Sequence, residues 1–64
     1  MFISFETRSG LKIKGVVCED YGHALLIRVE HASRKNARNR TQLYPKNDML
    51  NCTRWEDRQA YEAA

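Results

Sequence analysis

The stretch HALLIRVEH, residues 23–31, decides the fold class. Leu25, Ile27 and Val29 recur at every second position, with Arg28 and Glu30 on the alternate ones. Successive side chains of a β-strand point to opposite faces, so this spacing sets an apolar row against a charged one. Ile and Val are β-branched, stiff at χ1 and suited to a pleated surface. A strand with one buried face is predicted here.

Upstream, Asp20-Tyr21-Gly22 is a turn signal, with glycine where a left-handed conformation is favoured. Before it, Leu11 to Val17 alternates again: Leu11, Ile13 and Val17 face inward, Lys12 and Lys14 outward. Gly15 interrupts the inward row, and a glycine inside a strand marks a bulge or a bend. Such a bend curls a short sheet towards a barrel. Ser9-Gly10 turns the chain back onto Phe2 to Thr7, where Ile3 and Phe5 share one side and Ser4 and Glu6 the other.

Downstream, residues 32–40 carry no apolar period and read as a polar, cationic loop. Thr41 to Tyr44 is a short fourth strand stopped by Pro45, which has no N–H for a central ladder. Lys46-Asn47-Asp48 is a turn. Met49-Leu50 returns as a brief strand or a single helical turn. Thr53-Arg54-Trp55-Glu56 fits a capping box and predicts a short helix over 53–64, packed through Trp55 and Tyr61. Alanines at 60, 63 and 64 favour helix by propensity.

This layout resembles the small β-barrels of the SH3-like and Sm-like kind. The resemblance covers residues 2–50 and rests on Ser9-Gly10, the bend at Gly15, Tyr21-Gly22 and the Leu43-Tyr44-Pro45 end signal. It implies a mainly β fold: a small curled antiparallel sheet, or an SH3-like/Sm-like barrel, of four to five strands with a short C-terminal helix. The 64 residues form a single domain, with the β core over 2–50 and the helix over 53–64. Barrels of this type host many unrelated functions, so function has to be read from side chains.

The composition is 42% hydrophobic and 30% charged, which suits a folded globule and not a chain disordered throughout. A domain this short hides only roughly 60% of its unfolded surface, so its core is small, and a second copy of the chain is one way to support it. No apolar run approaches the ~20 residues of a membrane helix. The opening MFISFETRSG lacks a basic n-region, a long apolar core and a small-residue cleavage site, so a cytoplasmic protein is expected, without a membrane partner. Cys18 and Cys52 are too few for a disulfide scaffold and read as free thiols.

Charge is uneven. Between His31 and Asn47 stand five basic residues and no acidic one, whereas from Asp48 onward four acids face two arginines. The candidate nucleic-acid-binding residues are Arg34, Lys35, Arg38 and Arg40 in the loop, with Lys12, Lys14 and Arg28 on the outward side of their strands as a second tier. Arg offers a planar fork of donors to phosphate and Lys a point charge. Tyr44, beside the loop, is a candidate platform for stacking a base. The plain alternatives are a solvated loop that keeps the protein soluble, strand lysines that guard an edge, and a half-buried tyrosine.

Cys18, His23, His31 and Cys52 have the elements of a zinc set, but their spacing lacks the close pairs of structural sites, and no metal or other cofactor is expected. There is no glycine-rich phosphate loop, no Gly-x-Ser-x-Gly and no His-Glu-x-x-His. Glu19 and Asp20 are adjacent and would point to opposite faces of a strand, so they make no acid–base pair. The expected function is therefore non-catalytic: a small accessory or regulatory protein that binds the backbone of DNA or RNA through its cationic loop. The alternative is an adaptor or inhibitor that docks on a larger protein through Trp55 and Tyr61, with homo-oligomer formation open under either reading.

Overall fold

The HALLIRVEH stretch is the third of five antiparallel strands in a computed structural model that describes residues Met1–Ala64. The strands are β1 (Phe2–Thr7), β2 (Lys12–Asp20), β3 (Ala24–Ala32), β4 (Thr41–Pro45) and β5 (Met49–Trp55), followed by one helix, α1 (Arg58–Ala63). They form one sheet in the order β4-β3-β2-β1-β5. A 3-10 turn, Lys46–Asp48, carries the chain from one edge strand to the other. No ladder joins β4 to β5, so the sheet is curled but open, and of the two predicted forms it takes the sheet and not the closed barrel.

The alternation read from the sequence sets the inside of the curl. Ile3 and Phe5 from β1, Ile13 from β2, Leu25, Ile27, Val29 and Ala32 from β3 and Tyr44 from β4 form one buried cluster. Leu11, Val17, Ala37 and Met49 close over it. Thr7 is the one buried polar side chain, and it is satisfied: its hydroxyl accepts from Leu11 N and lies 2.8 Å from Ser9 Oγ.

Three register shifts curl the sheet and redirect side chains. In β3 the pairing passes from Gly15–Val29 to Lys14–His31, which leaves Glu30 as an extra residue. Glu30 and His31 then both lie on the outer side, and Ala32 takes the inward position. In β2 the extra residue is Cys18, between the Val17–Ile27 and Glu19–Leu26 pairs. In β5 the shift falls at Asn51, whose φ of 53° is tolerated by asparagine. Gly15 sits beside the first bulge for a packing reason. A Cβ there would run into the Arg28 carbonyl oxygen and lie 3.0 Å from its carbon and 3.1 Å from Val29 Cα. Gly22, with φ of 89°, turns β2 into β3, and its N–H donates to Asp20 Oδ1 at 2.8 Å.

The C-terminal helix is shorter than predicted. Thr53, Arg54 and Trp55 extend β5, paired with Ser4, Ile3 and Phe2. The capping box does not form, because Thr and Trp favour strands and an open ladder beside β1 satisfies their backbone. Asp57 caps the helix instead, accepting the Gln59 N–H at 3.2 Å.

Candidate nucleic-acid interface

The β3–β4 connection is folded against the sheet. Val29 N–H donates to Arg40 O at 2.8 Å, and Asn39 N–H donates to Val29 O at 2.9 Å. Ser33 N–H donates to Lys12 O, and Ser33 Oγ accepts the Lys12 N–H, which ties the start of the loop to β2. A 3-10 turn, Lys35–Ala37, shapes the tip, and Ala37 packs against the core. Asn39 adopts a left-handed φ of 61°, a conformation open to asparagine.

On this frame Arg34, Lys35, Arg38 and Arg40 are all exposed. Arg38 Nε donates to Ala32 O at 3.3 Å, and none of the four takes part in an ion pair. The pairs that do form use Arg28, Lys46 and Arg58. The loop is therefore a backbone-anchored platform that holds four uncompensated cations.

The second tier is split. Lys12 is exposed, unpaired and next to Ser33 at the root of the loop. Lys14 lies on the same outer face but is engaged by α1: its ammonium stands 4.8 Å above the Tyr61 ring and donates to Tyr61 O at 3.2 Å. Arg28 is exposed and lies 3.9 Å from the Glu30 carboxylate. Glu30 belongs to that same face, so the three second-tier cations do not form one continuous positive stripe.

Tyr44 is not a stacking platform. It is only 6% exposed, and its ring meets Phe5 edge-on at 5.1 Å. Burial pushes its hydroxyl pKa up. Leu43, its neighbour, is the residue that faces out, 50% exposed.

Trp55 and Tyr61 serve the fold. Tyr61 is 1% exposed, stacked on Phe2 with centroids 4.8 Å apart and edge-on to Trp55 at 5.7 Å. These three rings fasten α1 across the outer face of β1, β2 and β5, so Tyr61 has no surface left as an anchor for another protein. The Tyr61 hydroxyl donates to Glu30 Oε1 at 3.1 Å, and Arg58 donates to Glu30 at 3.1 Å and to Glu62 at 3.3 Å. The Arg58 hydrogen bond, followed by that of Tyr61, holds the Glu30 carboxyl below its usual range. Burial, followed by the Glu30 carboxylate, pushes Tyr61 up to about 12.

One depression, of about 340 Å³, opens on the outer face at the root of the loop. Lys12, Lys14, His31, Ser4 and Ser33 supply its polar groups. Sequence reasoning misses that His31 and Ser4 line one depression with Lys12 and Lys14. His31 reaches the depression through the bulge at Glu30, which nothing in the local alternation marks. No group of three or more His, Cys, Asp or Glu side chains converges in the structure, and Cys18 and Cys52 are both free and exposed. No helix is long and apolar enough to cross a membrane.

No protein-family model, no curated protein and no solved structure matches the chain, so its reading rests on its own residues.

Proposed function

We propose that the chain is a nucleic-acid-binding module that grips a phosphate backbone with its β3–β4 loop and acts as an accessory or regulatory protein. One observation carries this reading: Arg34, Lys35, Arg38 and Arg40 stand exposed on a single hydrogen-bonded loop, and none has an acidic partner. Lys12 extends the cluster onto the sheet. Because the backbone that carries these cations is already hydrogen-bonded, little backbone freedom is lost when the loop meets a polyanion, and the counterions released from the polyanion favour association. With Tyr44 in the core, no base-stacking residue is assigned, and the recognition proposed is of backbone and not of sequence.

The test is an anisotropy titration of DNA and RNA oligonucleotides at several salt concentrations. Binding that weakens with salt, by a log–log slope of roughly −0.7 per phosphate for single strands or −0.9 for duplex DNA, is the expected result. Absence of binding to either at low salt refutes the reading.

Docking on a protein is the second reading, and its grounds are the sheet edges and not Trp55 and Tyr61. β4 and β5 are open edges, and Leu43 and Leu50 are exposed on them. An open edge can accept a partner strand. Partners recovered from a lysate that survive nuclease treatment favour this reading over the first.

A further inference from the structure

We propose that the depression beside the loop is a subsite for one phosphoryl group. This inference rests on the nucleic-acid reading and adds to it the place where one phosphate is held. Lys12 and Lys14 lie two positions apart on β2, so both side chains project from the same face. Ser4 is directly across from Lys14 on β1, and His31 directly across from it on β3. Ser33 closes the far side, accepting the Lys12 N–H with its hydroxyl and keeping its own proton free to donate.

The walls of the hollow, of about 340 Å³, are mainly apolar, and the side chains that contribute to them end in two ammonium groups, two hydroxyls and an imidazole, donor types that an anion takes. Lys12 and His31 take part in no ion pair. The Lys14 ammonium gives two hydrogen bonds to backbone oxygens, Tyr61 O at 3.2 Å and Ala64 O at 3.5 Å, and has a third proton to offer. Its position is fixed by the rings of Tyr61 and Trp55, at 4.8 and 5.9 Å, so it is held in place before any ligand arrives. Two carboxylates share the outer face with the site: Glu6, across from Lys12 on β1, which makes no ion pair with Lys12, and Glu30, next to His31, which is taken up by Arg58 and the Tyr61 hydroxyl.

Position links the hollow to the loop. Ser33 and Ala32 belong to its wall, and Arg34 follows directly. A backbone that occupies the hollow with one phosphate meets the loop cations with the next ones. The chemistry recognised is a phosphate ester, which can come from a nucleic-acid chain or from a free mononucleotide.

The experiment follows amide resonances of the labelled protein during titration with an oligothymidylate and, separately, with thymidine monophosphate. Both ligands are expected to shift Lys12, His31 and Ser33. The variant K12A/H31A is expected to lose those shifts and to flatten the oligonucleotide salt slope by roughly 0.7, one phosphate's share. Both substituted residues are exposed, so the fold stays intact, and Lys14 is left alone because it holds α1. The variant E6Q is expected to tighten binding, which a purely structural role for the site would not produce.

If the oligonucleotide binds but shifts only residues 34–40, and K12A/H31A keeps the full slope, the subsite is overturned while the nucleic-acid reading stands. If the oligonucleotide fails to bind while the monophosphate shifts Lys12, His31 and Ser33, the subsite stands for a free nucleotide and the nucleic-acid reading falls.

Discussion

The Tyr61 hydroxyl donates to the Glu30 carboxylate across 3.1 Å, joining the C-terminal helix to the bulge of the central strand β3. Arg58 meets the same carboxylate from one turn earlier on the helix. A hydrogen bond to a charged acceptor is stronger than one between neutral groups. Tyr61→Phe keeps the ring on Phe2 and removes only this bond. A loss of about 1–2 kcal/mol in urea unfolding is expected. Tyr61→Ala removes the whole plug and is expected to cost about 3 kcal/mol or more, with loss of the helical signal in circular dichroism.

The same pair gives the domain two pH limits. The Tyr61 pKa is raised from 10.0 to about 12, so the folded state disfavours its phenolate. Its contribution is complete below pH 10 and is lost as pH rises to 12. Glu30 is shifted the other way, so its contribution is present above the usual glutamate value and lost as pH falls through the lowered one. The stability gap between wild type and Tyr61→Phe, measured by denaturant unfolding across pH, should shrink between 10 and 12. A gap that stays constant over that interval would sever the link between this hydroxyl and alkaline unfolding.

Gly15 is required by the approach of β3. In Gly15→Ala the methyl group meets the backbone of Arg28 and Val29, which cannot swing aside as a side chain would. A destabilisation of at least about 2 kcal/mol is expected, by overpacking. Thermal unfolding of this variant at near wild-type temperature would show that β3 can slide away from β2.

Asp57 sets the start of α1. Asp57→Ala removes the side chain that accepts the Gln59 N–H, and a loss of about 1 kcal/mol is expected. Thr53→Ala, the change that would destroy the capping box read from sequence, is expected to leave helicity unchanged because Thr53 lies in β5. Helicity in the two variants, compared by circular dichroism, decides between the caps.

Changing Arg34, Lys35, Arg38 and Arg40 together to Ala removes four positive charges without touching the buried cluster. Circular dichroism and the unfolding midpoint should be close to wild type. The salt slope of nucleic-acid binding should fall by roughly 0.7 to 0.9 for each phosphate that the loop no longer neutralises. Unaltered affinity in this variant would move the interface off the loop.

The apolar alternation of β1, β2 and β3 is readable because each strand buries one face, and burial writes a period of two into the residue types. What the alternation does not carry is the identity of the inner face in a strand as short as Thr41–Tyr44. Leu43 and Tyr44 lie on opposite sides, and the tyrosine is the one that pairs with Leu25 and turns inward. Thr53-Arg54-Trp55-Glu56 satisfies a local rule for a helix start, while the actual place of Trp55 depends on pairing with Phe2, fifty-three positions away. The loop cations are legible as a cluster, since a run without acids needs no tertiary knowledge. Covering of Lys14 by α1 is not, because it depends on three aromatic rings meeting from β1, β5 and the helix.

The extra residue in β3 has an effect out of proportion to its size. Glu30 acts as a phase shift in the strand: every side chain after it appears on the side opposite to the one an unbroken period would assign. Without that shift the same residues would send His31 into the apolar interior and Ala32 to the surface. The root of the cationic loop would then leave from the other side of the sheet, carrying Ser33 away from Lys12. Because Glu30 is the supernumerary position, a chain lacking it would run from Val29 straight to His31 in regular alternation, with the Lys14–His31 and Ile13–Ala32 pairs unchanged. Such a chain would forfeit the carboxylate that receives Tyr61 and Arg58, together with the bend that the bulge puts into the strand. The insertion therefore adds a mooring for the helix to a strand that presents His31 and Ala32 on the same faces with or without it.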